Sequence, residues 1–257
     1  MSDSRDDFYV GYMPEAPAGL GRWLRRTVLA CVAIALGIGL LLAKGQGRSG
    51  PSVYEFEPSK VEGILRMAPH PHLVTLPQIP NRRGMMRAVF PSVFLLTVFG
   101  KVGADEALAE HDGYLVSLSG AVIHRNGRSM LEVDPSSVER LREERFEDIS
   151  PRLLSEDATF EGEIVDAKCY LGVMKPGHGK IHKSCAIRCI SGGVPPILVV
   201  EDGEFLLLVD SDGHPVGSRV LDFIAEPVRI QGRYERIGDL GVLRIDPARI
   251  ERLSAQD

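Results

Sequence analysis

Three of the four cysteines of the chain, Cys169, Cys185 and Cys189, lie in one segment, 166–195, which reads DAKCYLGVMKPGHGKIHKSCAIRCISGGVP. Thiolate sulfur with imidazole nitrogen is a soft ligand set that suits Zn(II) or Cu(I). Cys169, Cys185 and Cys189 with His182, or with His178 in its place, are therefore a candidate metal set. The same sulfurs support a second chemistry. Cys185 and Cys189 stand one helical turn apart with parallel Cβ vectors, a poor arrangement for bonding to each other. A disulfide would therefore join Cys169 to Cys185 or to Cys189 and leave one thiol free. In a third reading all three are reduced thiols buried as small hydrophobes. The residue types leave all three readings open.

The Cys-x3-Cys pair with a nearby histidine resembles the site of copper chaperones that assemble cytochrome oxidase. The likeness is confined to that spacing, because Ala186 and Ile190 stand where those chaperones carry prolines, and their βαβ frame is absent. The wider pattern runs from Gly162-Glu163-Ile164-Val165-Asp166 through Cys169 to His182-x2-Cys185-Ala186-x2-Cys189 and Gly193-x-Pro195. It resembles a recurring motif of uncharacterised bacterial membrane-anchored envelope proteins with a Cys/His-containing OB-like domain. That resemblance implies a bacterial envelope location and no particular activity.

Other catalytic signals are weak. Pro176-Gly177-His178-Gly179-Lys180 lacks the spacing and the Ser/Thr of a phosphate loop, and reads as a turn. Ser184 and His182, two apart on a helix, do not face each other. His70 and His72 flank Pro71 in an extended segment, which favours no chelating pair. No reaction and no small-molecule substrate are identified, and a non-catalytic protein is expected.

Around the cysteines, Lys180 to Ser191 has helix-compatible residues and Gly192-Gly193 as a stop, which predicts a short helix. At 100° per residue Cys185, Cys189 and His182 share one face with Ile181, Ala186 and Ile190, so that face is expected against the protein body. The body repeats itself. Val116 to Gly120 matches Val228 to Gly232, and Leu131 to Pro135 matches Leu243 to Pro247, both at an offset of 112. Val138 to Leu141 falls on Ile250 to Leu253 at the same offset, Phe94 to Val98 pairs with Phe205 to Val209 at 111, and Glu62-Gly63-Ile64 resembles Glu161 to Ile164.

Each copy carries four or five short apolar runs separated by Gly, Pro and Asp-Gly signals, with a hairpin turn at Glu201 to Glu204. A glycine ending the strand at 120 or 232 and an Asp-Pro cap after the last strand resemble the small OB-type barrel. A mainly β protein is expected, with OB-like domains at 52–145 and 157–254. The cysteine segment is an insertion in the second, and a different insertion, 78–92, lies in a hairpin of the first. The stretch Pro135 to Phe146 (PSSVERLREERF) has apolar residues near helical spacing and is expected as a connecting helix.

Ahead of the barrels, Thr27 to Ala43 (TVLACVAIALGIGLLLA) holds no charge. With its flanks, 23–44, it is long enough for a single transmembrane helix, although a cleaved signal peptide remains the alternative. Cys31 sits in a lipobox-like context, but the apolar run follows it, which argues against lipidation. Arg22, Arg25 and Arg26 outnumber Lys44 and Arg48, so residues 1–22 are expected in the cytoplasm and the barrels in the periplasm or exterior. The chain has 257 residues and a net charge of −5, which speaks against nucleic acid as a partner. The expectation is a single-pass, cytoplasmic-membrane module serving other envelope proteins as an accessory. A thiol- or metal-dependent redox accessory, such as a copper-handling factor, is the alternative.

Overall fold

The structure is a computed structural model and describes residues 18–46, 52–75, 91–145, 151–201 and 203–253. The helix α1 (Ala18–Gln46) contains a stretch, Gly19–Ala43, that is long and apolar enough to cross a membrane. It forms one unit by itself, and residues 49–257 form the other. Of the N-terminal segment 1–22, residues 1–17 lie outside the described residues, as do most of 78–92.

The second unit is mainly β and holds two small barrels, in agreement with the sequence. The first barrel contains β1 (Ser52–Tyr54), β2 (Ser59–Arg66), β3 (His72–Val74), β4 (Val93–Val98) and β5 (Val102–Gly103). After a short turn of helix, α2 (Asp105–Leu108), come β6 (Tyr114–Arg125), β7 (Arg128–Val133) and β8 (Glu139–Arg145). The second barrel begins with β9 (Arg152–Asp166), which enters the cysteine insertion with its helix α3 (Lys183–Ser191). Then follow β10 (Pro196–Val200), β11 (Phe205–Asp210), β12 (Pro227–Ile237), β13 (Leu240–Ile245) and β14 (Glu251–Arg252).

The two barrels close the same way. In the first, β2 pairs with β3, β3 with β4, β4 in parallel with β7, β7 with β6, and β6 back with β2. In the second, β9, β10, β11, β13 and β12 repeat this circuit, again with one parallel pair, β11 with β13. This is the five-stranded Greek-key closure of an OB-type barrel. Equivalent residues hold equivalent places: Gly120 pairs with Val133, and Gly232 with Ile245. A Cβ at either glycine would collide with the carbonyl of Glu132 or of Arg244, themselves 112 apart. Asp134 and Asp246 each accept the amide two residues on, at 3.0 Å, and so cap the turn after the last barrel strand.

Four sequence expectations are corrected. Gly120 and Gly232 lie within β6 and β12 instead of ending them, at the point where each long strand passes from one partner to the next. The offset of β4 to β11 is 112, not 111: Leu96 pairs with Leu131 and Leu208 with Leu243. A slip of one residue exchanges the two faces of a strand, so Phe94 corresponds to Leu206 and Val93 to Phe205. Of the expected connecting helix 135–146, residues 135–145 form no such helix, and Phe146 lies outside the described residues. Pro135–Ser137 make one tight turn and β8 follows, pairing with β6 through Val116 and Arg140. Its charges are those of an exposed outer strand, which blunts the edge. Finally, α3 starts at Lys183, so Ile181 precedes it and is 84% exposed, off the packed face.

The barrels pack on each other through an apolar layer of their own. It joins Val93, Leu95 and Met130 of the first barrel to Phe205, Leu207 and Val242 of the second, which are the equivalent positions. Alternate residues of the same strands, Leu96 and Leu131 or Leu206, Leu208 and Leu243, fill the barrel interiors. Both faces of β11 are therefore covered, which explains its continuous apolar run where a half-exposed strand would alternate.

Candidate functional site

The cysteine insertion occupies the connection between the first two barrel strands, β9 and β10. The corresponding connection of the first barrel, Met67 to Pro71, is a short loop. β9 ends at Asp166, a fully buried carboxylate that organises the start of the insertion. One of its oxygens accepts the Cys169 amide at 2.8 Å, and the other lies 2.9 Å from His182 Nε2. This starts a wide, π-type turn at Cys169–Val173 and ties it to the residue that precedes α3. Single turns of this kind recur where a side chain must be re-aimed. Ala186 and Ile190 of α3 enter the second barrel's core, while Cys189 packs with Cys169 and Val194 in a separate small cluster that Cys185 adjoins.

The three sulfurs converge. Cys169 Sγ lies 3.8 Å from Cys185 Sγ and 3.9 Å from Cys189 Sγ, and all three lie within 4.8 Å of one another. Cys169 and Cys189 are buried and Cys185 is half-buried, which leaves one thiol facing outward. The Cys169 thiol is raised above its usual range, first because it shares a hydrogen bond with Cys189, then by burial and by the Asp166 charge. Cys189 is lowered, first by the hydrogen bond it shares with Cys169, while its burial and the Asp166 charge oppose that shift. Sulfurs bonded to one ion at about 2.3 Å stand about 3.8 to 4.0 Å apart in tetrahedral or trigonal coordination.

His182, Asp166 and Cys169 form a second group whose ligand atoms fall within 4.8 Å, so Cys169 belongs to both. His182 thus shares a group with Cys169 alone of the three sulfurs and is engaged by a carboxylate, the arrangement that orients a metal-binding imidazole. His178 is half-buried and belongs to neither group among the described residues. Cys31 lies in α1, exposed.

Two further residues of the site come from positions the sequence did not single out. Lys101, in the turn between β4 and β5 of the first barrel, donates from Nζ to Cys185 Sγ at 3.1 Å. That contact holds the Lys101 ammonium above its usual range. Lys168 of the insertion, 2% exposed, reaches back into the same turn. Its ammonium donates to the carbonyls of Val98 at 2.8 Å and Gly100 at 2.7 Å, and pairs with the Glu132 carboxylate. Gly192, the C-cap of α3, lies against the Lys101 backbone so closely that a Cβ would collide with its carbonyl, and Gly103 N donates to Gly192 O at 2.8 Å. The site is therefore built at the seam between the barrels, with three thiols from one and a cation from the other.

Comparison with protein-family models, with curated proteins and with solved structures finds no match to this chain. What the fold and site define is a class by construction: two OB-type barrels in tandem, after an apolar helix, with a Cys/His cluster in the second.

Proposed function

We propose that this chain is a single-pass, membrane-anchored envelope protein whose barrels face the periplasm or exterior. In this reading it serves a larger assembly as a non-catalytic accessory and holds a soft ion, copper(I) or zinc(II), in its cysteine insertion. The observation that carries the metal part is that Cys169 Sγ stands at the spacing of co-ligands from both Cys185 Sγ and Cys189 Sγ, with all three sulfurs within 4.8 Å of one another. Three thiolates suit Cu(I) as they stand, and Zn(II) would take His182 or a solvent molecule as its fourth ligand. The uncharged run Thr27 to Ala43 within the apolar stretch Gly19–Ala43 supports the anchor, and Arg22, Arg25 and Arg26 ahead of that run support the orientation.

The test is metal content with thiol counting on the full chain purified in detergent. One ion per chain, with Cys169, Cys185 and Cys189 protected from alkylation until a chelator is added, is the expected result. No ion under either Cu(I) or Zn(II) loading would overturn it. A redox reading has one observation in its favour: Cys169 Sγ is close to both other sulfurs, at 3.8 and 3.9 Å. Loss of two thiols on mild oxidation, with no metal bound, would establish it.

A further inference from the structure

The strand β1 opens the described part of the barrels and lines a cleft of about 840 Å³ whose walls include Val53, Phe56, Phe99, Lys101, Val173 and Lys175. Phe56 is 86% and Phe99 85% exposed, and Val53 and Val173 are exposed beside them. Isolated exposed apolar residues need no explanation, but two open phenylalanine rings on one cleft with lysines among its walls form a patch. The chain itself limits what can cover it. Only residues 47–51 separate the end of α1 at Gln46 from Ser52. Six Cα steps of at most about 3.6 Å keep β1 within roughly 20 Å of the helix end.

We infer that this patch docks on the bilayer surface, with Phe56 and Phe99 in the interfacial layer and Lys101 and Lys175 toward lipid phosphates. The inference rests on the reading of α1 as the anchor. Aromatic rings with flanking cations are the composition that settles at the boundary between headgroups and acyl chains. Glu132, also in the cleft wall, is paired with Lys168, so the exposed charges among these wall residues are Lys101 and Lys175, the sign that suits an anionic surface. Docking would present the seam that holds Lys101 and Cys185 to the membrane plane, where an ion or thiol could be exchanged with a membrane-embedded partner.

The chain has one tryptophan, Trp23 in α1, which makes fluorescence selective. The full chain is reconstituted in phosphatidylcholine vesicles containing a minority of phosphatidylglycerol, with and without lipids brominated near the headgroup end of the acyl chain. Wild-type Trp23 reports insertion of α1. Trp23→Phe combined with Phe99→Trp, and separately with Phe56→Trp, reports the patch. The expected result is quenching at both new positions, reduced by Lys175→Glu. Quenched Trp23 with unquenched, water-like emission at 56 and 99 would overturn docking and leave the anchor standing. Blue-shifted but unquenched emission at 56 and 99 would mean that a second copy or another protein covers the patch, and would also overturn it. Unquenched Trp23 would remove the anchor and the inference together.

Discussion

Lys101 and Cys185 are 84 positions apart and belong to different barrels, yet the ammonium of one lies 3.1 Å from the sulfur of the other. The contact depends on the turn that carries Lys101, and that turn is fixed by Lys168, whose ammonium satisfies the Val98 and Gly100 carbonyls. Lys101 itself is exposed, so its charge acts through partly screened solvent. Lys101→Met is expected to slow reaction of Cys185 with an anionic disulfide reagent by about two- to five-fold relative to a neutral maleimide, a modest effect appropriate to an exposed charge. Lys168→Met is expected to reproduce that change in ratio by loosening the turn, with a larger loss of stability because it also removes the cation paired with Glu132 and leaves that carboxylate the Tyr54 hydroxyl. An unchanged ratio of the two rates in Lys101→Met would show that the cation plays no part at the thiol.

Asp166 is expected to be the most sensitive polar residue of the insertion. Both of its oxygens are committed, one to the Cys169 amide and one to His182, at a site with no access to water. Asp166→Asn keeps the shape but replaces an acceptor oxygen by an amide that donates, against one of two partners. A cost of about 2 to 4 kcal/mol in chemical denaturation is expected, from a buried polar network left half satisfied. Spreading of the three sulfurs should follow, read as faster alkylation of Cys169 and Cys189. A destabilised protein with unchanged alkylation of these two would confine Asp166 to a purely structural role.

The first barrel carries a different sensitivity. His70 and His72 are both buried in the loop that replaces the cysteine insertion and at the start of β3, and each is lowered to about 4. For His70 burial is the first cause, followed by the charge of His72. For His72 burial again leads and Arg66 adds to it, while the His70 carbonyl at 2.8 Å and Asp112 oppose it. A lowered histidine is neutral in the folded state and protonated in the unfolded state between about pH 4 and about 6.5. The unfolded chain therefore binds more protons in that window, so stability rises with pH across it and levels off above it. Each histidine accounts for up to about 3 kcal/mol at full development. The urea midpoint is expected to fall between about pH 6.5 and about pH 4.5, and His70→Leu with His72→Phe should flatten that fall. A midpoint equally steep in the double variant would assign the acid sensitivity elsewhere.

How far the sequence could reach is decided by particular residues. The repeat was legible because paired strands fix residue types: Gly120 and Gly232 are needed by the same backbone approach, and Asp134 and Asp246 by the same turn. The connecting-helix reading of 135–146 failed although the repeat already aligned Val138 to Leu141 with the C-terminal Ile250 to Leu253. The 3.6-residue spacing of three apolar side chains outweighed a match that in fact marked the outer strands β8 and β14. The convergence of the cysteines was legible from their segment alone. Lys101 was not, because its only sequence mark is a lysine in a turn. Asp166 did leave a signal, a carboxylate directly after the apolar pair Ile164-Val165, and so did Lys168, a cation between Ala167 and Cys169 in a segment that must be packed. Neither has meaning without the partner that burial brings to it.

The apolar layer between the barrels leads to the last prediction. Leu95 and Leu207 occupy equivalent places, both almost fully buried, and each points away from its own barrel interior into the layer shared by the two. Removing either side chain to alanine takes away packing that neither barrel can replace from within, at an expected cost of about 2 to 5 kcal/mol. Because the layer is common property, the loss from either substitution should lower a single unfolding transition and should not split off one barrel. Arg128 ties the same seam from its rim, with Glu204 at 3.0 Å and the Asp239 carbonyl as partners, and Asp239 accepts the Val93 amide at 2.8 Å. A chain cut to residues 52–145 would expose Val93, Leu95, Ile123 and Met130 together, an apolar face larger than scattered surface residues and bordered by strand β4. Such a fragment is expected to aggregate or to dimerise through that face, measured by light scattering after size exclusion. A soluble, monomeric first barrel with the melting temperature of the whole would show that the layer contributes little, and two transitions in Leu207→Ala would show that the barrels fold independently.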